Sequence, residues 1–232
     1  MTVADEFFSQ AQAEMRAAEM RATARRFGGV AAGVAIIALI GVGGWQWQIH
    51  RHHQAQAEAS GRYYTAMEAL QAPQPDAAKR TQVEKTQEAV LADLAAKAPG
   101  ATREFAAIRL AQLKAQAGDL AGARKVWQGV IDTKDANPAF TALARLLLLN
   151  SHIDDSDTTE TRKGFELLAA NPGPWRAFAQ EGLAALDLRA DATPKQHEEA
   201  RSLLTGLAQS PDAPDGVRQR ASILLQTFGG AG

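Results

Sequence analysis

The chain has 232 residues, a formal net charge of −1 and 46% hydrophobic residues, enough to build one or two domains with a real core. Its 25 Lys and Arg are matched by 26 Asp and Glu, which argues against the clustered basic excess that a nucleic-acid surface needs. There is no cysteine, so disulfides, zinc–thiolate sites and cysteine nucleophiles are excluded, while the redox state of the compartment is left open.

Alanine dominates, and Val and Ile are sparse outside one segment. Such a composition favours helices, because Ala, Leu, Gln, Glu, Lys and Arg lose little freedom in them. Along residues 3–26 charge alternates with Phe7, Phe8, Ala11, Met15, Ala18 and Ala22 at helical spacing. This predicts a short amphipathic helix within a segment 1–26. The helix either lies on a membrane leaflet with its arginines near anionic headgroups or serves only as a charged orientation signal.

Residues 27–49 carry no charge and are predicted to form a transmembrane helix. Phe27 to Trp47 alone covers roughly 30 Å at the helical rise, the thickness of a bilayer's hydrocarbon. Trp45 and Trp47 mark the headgroup level at the distal end. The charged stretch before the span is too long for a signal peptide and no small-x-small site follows directly, so the anchor reads as uncleaved. Arg16, Arg21, Arg25 and Arg26 precede it, whereas Arg51 and the more distant Arg62 follow. The positive-inside rule therefore keeps the N-terminus cytoplasmic and exports the rest. Gly29 and Gly33 form a GxxxG pair within the span. They fit a close contact with a second copy or another membrane protein, or simply the frequency of glycine in membrane helices.

Residues 50–100 read as a membrane-proximal helical hairpin. Ala55, Ala59, Tyr63, Met67 and Leu70 recur at helical spacing until Pro73-Gln74-Pro75. A second helix is predicted from about Ala77 to Lys97, with Val83, Val90, Leu91 and Leu94 on one face and Pro99-Gly100 at its end.

Residues 101–232 read as paired helices. Phe105, Ile108, Leu110, Ala111 and Leu113 belong to one helix, Gly118-Asp119 to a turn, and Ala123, Val126, Trp127, Val130 and Ile131 to the next. The run Gly118-Asp119-Leu120-Ala121-Gly122-Ala123 with Trp127 and Val130 resembles the second half of a tetratricopeptide repeat. There a small residue admits the paired helix and a large one fills the space between repeats. A further helix spans Pro138 to Asn150 with Asn137 as cap. Its partner begins near Asp157, where Asp157 and Glu160 have capping-box spacing, and carries Gly164, Phe165, Leu167 and Leu168. A third pair runs from Trp175 to Leu188 and from Pro194 to Gln209, opened by the capping box Thr193-Pro194-Lys195-Gln196. A last helix from about Asp215 to Phe228 caps the stack. Taking Ala123, Gly164 and Ala200 as equivalent small positions gives intervals of 41 and 36 residues, against about 34 for the repeat. The fold class expected is thus all-α: one N-terminal transmembrane helix followed by a tetratricopeptide-like helical-repeat domain, with an irregular helical bundle as the alternative.

Chemistry is hard to find in this sequence. His50, His52 and His53 cluster after the span without the further ligands that a metal site needs. His197-Glu198-Glu199 begins like a zinc-protease helix, but position 201 is Arg201. Asp154, Asp155, Asp157 and Glu160 lack the spacing and glycine of a calcium loop. No phosphate-cradling, dinucleotide-binding or nucleophile-elbow motif is present in the sequence. No catalytic, cofactor-binding or metal-binding residue is therefore expected, and an enzyme is not the expected reading.

The layout resembles the ancillary SecYEG translocon subunit family. The likeness is carried by Asp5-Glu6-Phe7-Phe8, Arg25-Arg26-Phe27-Gly28, Ala55-Gln56-Ala57-Glu58-Ala59, the segment Tyr63 to Leu70 and the repeat around Gly118-Asp119. This resemblance implies a single-pass protein of the bacterial inner membrane with a periplasmic C-terminal domain, which associates with translocon subunits and periplasmic chaperones. By analogy with the repeat's geometry, the inward face of the first repeat includes Ile108, Gln112 and Gln116. A scaffold for another envelope assembly, in cell division or outer-membrane biogenesis, is the alternative.

Overall fold

Every regular element among the described residues is an α-helix, and punctuation in the sequence sets where each begins and ends. The computed structural model describes residues 50, 51 and 53–229. The segment 1–26, the apolar span 27–49 with Gly29, Gly33, Trp45 and Trp47, and His52 lie outside the described residues. Among the described residues no helix is long and apolar enough to cross a membrane. The helical stack lies in one compact unit that begins at residue 56, within the first described helix.

Helix α1 (53–71) stops ahead of Pro73. Helix α2 (Ala77–Lys97) opens on Asp76, whose carboxylate accepts the Lys79 N–H at 2.6 Å. Gly100 precedes α3 (Ala101–Gln116). The turn after α3 passes through Gly118 at φ 86, a left-handed conformation that an L side chain resists. Asp119 then caps α4 (Leu120–Asp132) by accepting the Gly122 N–H at 2.8 Å. Helix α5 (Pro138–Asn150) has the expected Asn137 cap on the Ala139 N–H and proline in its first turn. Helix α7 (Arg176–Asp187) follows α6 (Thr159–Ala170). Helix α8 (Pro194–Gln209) starts with the full Thr193–Gln196 capping box, and α9 (Asp215–Gly229) closes the series.

One expected cap differs. Helix α6 starts after Thr158, and the Asp157 carboxylate accepts the Thr159 N–H at 2.9 Å in a local turn. Glu160 turns outward to Lys163 at 2.8 Å, so the reciprocal bond of a capping box is not made.

The packing is serial. Four apolar cores succeed one another along the chain, each built from three consecutive helices. The first joins Ala59 of α1 to Leu91 and Leu94 of α2 and to Ala106, Leu110 and Leu113 of α3. The second joins Ala107, Ile108 and Ala111 of α3 to Ala123, Trp127 and Val130 of α4 and Ala144 of α5. Leu146 of α5, Phe165 and Leu168 of α6, and Ala179, Leu183 and Leu186 of α7 make the third. Ala177 and Ala184 of α7, Ala200, Leu204 and Leu207 of α8, and Val217 and Ala221 of α9 make the fourth. Each of α3, α5 and α7 is shared by two cores. This explains why α3 and α7 bury residues on several sides while α4, α6 and α8 bury one stripe each.

Those stripes correct the repeat register. The buried triplets are Ala123-Trp127-Val130, Thr161-Phe165-Leu168 and Ala200-Leu204-Leu207. The residue of α6 equivalent to Ala123 is therefore Thr161, not Gly164, and the intervals become a nearly even 38 and 39 residues. Gly164 serves a different need: a Cβ there would press into the Leu149 side chain of α5. Gly182 of α7 does the same for Phe165, whose ring lies where its Cβ would be. Full burial of a side chain such as Phe165 or Leu204 contributes about 1.5–3 kcal/mol, so each three-helix core rests on a few large residues. Trp127 is one of them, although its indole N–H is buried with no hydrogen-bond partner.

Candidate partner-binding face

The odd-numbered helices α1, α3 and α5 each contribute one aromatic ring to a continuous row. Tyr63 of α1 lies 6.2 Å from Phe105 of α3, centroid to centroid. Phe105 lies 4.6 Å from Phe140 of α5, edge to face, a favoured geometry for the ring quadrupoles. Tyr63 packs on the α1–α2–α3 core and Phe140 on the α3–α4–α5 core. Phe105 between them stays 48% exposed, and the adjacent Tyr64 is 71% exposed. A large apolar ring left this open, in contact with two partly buried rings, marks an interaction surface better than a scattered single residue does.

Arg109 stands one turn beyond Phe105 on α3. Its Nη1 donates to Gln112 Oε1 at 3.3 Å, and its Nε is buried with no hydrogen-bond partner. Burial holds the Tyr63 phenol above its ordinary value, and the positive charge of Arg109 pulls it in the opposite direction. Phe105, Arg109, Gln112 and Gln116 succeed each other at spacings of four, three and four, which is one helical stripe.

The three residues expected on the inward face meet different fates. Gln112 is partly buried and holds Arg109, and Gln116 is exposed at the end of the same stripe. Ile108 is 8% exposed and belongs to the α3–α4–α5 core, because it lies on the side of α3 turned toward α4. Sequence reasoning missed Tyr63, Phe105, Arg109 and Phe140 as a group. The available signal was the presence of aromatic residues on each of three successive odd helices.

Polar groups elsewhere tie helices together. Arg62 bonds Asp93 at 2.8 Å between α1 and α2, and Lys114 bonds Glu88 at 2.7 Å between α3 and α2. The buried Glu104 carboxylate accepts the Asn137 N–H at 2.9 Å, fixing the entry to α5. Arg162 of α6 pairs with the buried Asp187 of α7. Arg220 of α9 meets Glu181 of α7 through two bonds, at 2.6 and 2.7 Å.

The acidic residues after α5 form a pinned loop. Arg124 of α4 donates to the Ser151 carbonyl and to Asp155 Oδ1, the latter at 2.9 Å. His152 Nδ1 is 2.6 Å from Asp155 Oδ2. Arg189 reaches the carbonyls of Ile153 and Asp155 from the far side. His50 and His53 are exposed, and His50 Nε2 is 3.0 Å from Gln54 Nε2. Among the described residues no group of three or more His, Asp or Glu stands close enough to hold a metal ion.

No curated protein and no solved structure matches the chain. A family model described as tetratricopeptide repeat-like domain matches residues 24–207, and repeats of this kind typically mediate protein–protein interaction. Three-helix cores in series, evenly spaced stripes on α4, α6 and α8 and a match over most of the sequence agree, and the chain belongs to the tetratricopeptide repeat-like domain family.

Proposed function

We propose that this protein is a non-enzymatic scaffold, held in the bacterial inner membrane by residues 27–49, that binds protein partners with the odd-helix face of its periplasmic repeats and serves the Sec translocon and its chaperones. The observation that carries partner binding is the Tyr63–Phe105–Phe140 row with Phe105 half exposed at its centre. Anchoring is supported by the uncharged stretch 27–49 with four arginines ahead of it. Service to the translocon is supported by the resemblance carried by Asp5 to Phe8, Arg25 to Gly28 and Ala55 to Ala59. The anchor glycines, Gly29 and Gly33, fit either a translocon subunit or a second copy.

Photo-crosslinking from positions in Phe27–Trp47 and from Phe105 and Gln116, read by mass spectrometry, tests the reading. It expects translocon subunits from the anchor positions and a chaperone or export substrate from the repeat positions. Recovery of lipid alone at every position sinks it. A reporter active only in the periplasm, fused after Phe228, is expected to be active; activity of a cytoplasm-only reporter at that site overturns the topology.

A further inference from the structure

Several arginines that join neighbouring elements find carboxylates: Arg124 with Asp155, Arg162 with Asp187, Arg220 with Glu181. Arg109 differs. Its side-chain hydrogen bond goes to the neutral Gln112, its Nε has no acceptor, and among the described residues it makes no ion pair. The Nε edge of this guanidinium is buried without an acceptor while the side chain stays partly exposed, and its charge is left without an acid that a partner's carboxylate can supply. The surroundings decide what else such a carboxylate must carry. Arg109 lies one turn from the half-exposed Phe105 and near Tyr63, so anything that reaches it passes beside the Phe105 ring.

We infer that Arg109 and the Tyr63–Phe105–Phe140 row form a subsite for an acidic residue flanked by apolar side chains in a segment of a partner protein. The carboxylate of that residue bonds the Arg109 guanidinium, where a charge-assisted pair shielded by aromatic rings is stronger than one in open water. The flanking apolar side chains cover Phe105 and Tyr64, and Gln116 lies where the segment continues along α3. This proposal rests on the reading that the odd-helix face binds proteins, and adds the chemistry of what it selects.

The test uses the full-length protein in nanodiscs and two fluorescein-labelled peptide mixtures. Both mixtures have the same degenerate apolar positions; one has a fixed central Glu, the other a fixed central Gln. Fluorescence anisotropy is expected to give about tenfold tighter binding of the Glu mixture, a preference that shrinks as salt is raised. Arg109→Met is expected to bring the two mixtures to equal affinity, and Arg109→Lys to keep part of the preference. Phe105→Ala weakens both mixtures and leaves their ratio alone. Equal affinities for the wild-type protein overturn the proposal while leaving partner binding at this face intact. A preference that survives in Arg109→Met overturns it as well. Failure of both mixtures to bind removes the subsite and the face together. If Arg109→Met unfolds, the Arg109→Lys ratio decides: a ratio that stays above one and shrinks with salt supports the subsite, and a ratio of one overturns it. Self-association by sedimentation that Phe105→Ala abolishes assigns the face to a second copy and also overturns the proposal.

Discussion

Helices α3 and α5 occupy the same place in the stack, each as the shared wall of two cores, yet they are built differently. Helix α3 buries residues on both sides and meets α4 along its length, with Ala123 fully buried at the crossing and Trp127 filling the core beyond it. Helix α5 buries only Ala144 and Leu146 and meets α6 over a much shorter stretch. What holds the second joint is the pinned loop 151–158, gripped by Arg124 from one neighbour and Arg189 from the other. An apolar interlock needs the right volume at a few positions. A polar clamp needs two arginines and a loop whose carbonyls face them, and it leaves backbone bonds nearer to water. The α3–α4 joint is thus tight and the α5–α6 joint clamped, and they fail by different routes.

Removing the large residue from each joint gives the largest expected effect. Phe165→Ala and Trp127→Ala are each expected to cost about 3–5 kcal/mol, measured by urea unfolding. Phe165 is expected to cost more of that in local opening of α5–α6, because fewer contacts there survive its loss. Next comes Gly182→Ala, which forces a methyl into the Phe165 ring and is expected to cost about 1–3 kcal/mol and lower Tm. A gain in stability would show that the joint can open to admit it.

Arg124→Ala separates the two joints. It removes the bonds to Ser151 and Asp155 and is expected to cost about 1.5–3 kcal/mol. Hydrogen exchange should rise in 151–158 and the start of α6 and stay unchanged in α3. Acid gives the smallest effect, and at the clamp it acts through Asp155. His152 first, and Arg124 second, hold the Asp155 carboxyl below the usual carboxylate range. The stabilisation is therefore complete above the unfolded carboxylate value and is lost as pH falls through the lower folded value. The Asp155 carboxyl resonance tracked by NMR is expected to titrate below the ordinary Asp range, and Asp155→Asn is expected to abolish that transition.

The legible part of the fold is the part set by local interactions. The bounds of α2, α5 and α8 come directly from Asp76, Asn137-Pro138 and Thr193-Pro194, since caps and prolines act within four residues. The start of α6 was displaced because Asp157 satisfies the Thr159 N–H without entering the helix. The repeat register slipped by three residues because Gly164 looks like the small residue of a helix crossing. Its smallness answers Leu149, while Thr161 takes the buried position. The aromatic row and Arg109 were illegible for a further reason. They meet only after α1, α3 and α5 are laid side by side, and no local spacing encodes that lateral register.

Because consecutive cores overlap in a single helix, two helices are the smallest piece that can be added or taken away without leaving a core open. Such a change of length, of about 38 residues as the spacing of the stripes sets it, moves the terminal helix α9 outward or inward while the row across α1, α3 and α5 keeps its geometry. The fold therefore separates reach from surface: the far end of the stack sets how far the helices extend, and the first three odd helices carry the aromatic row.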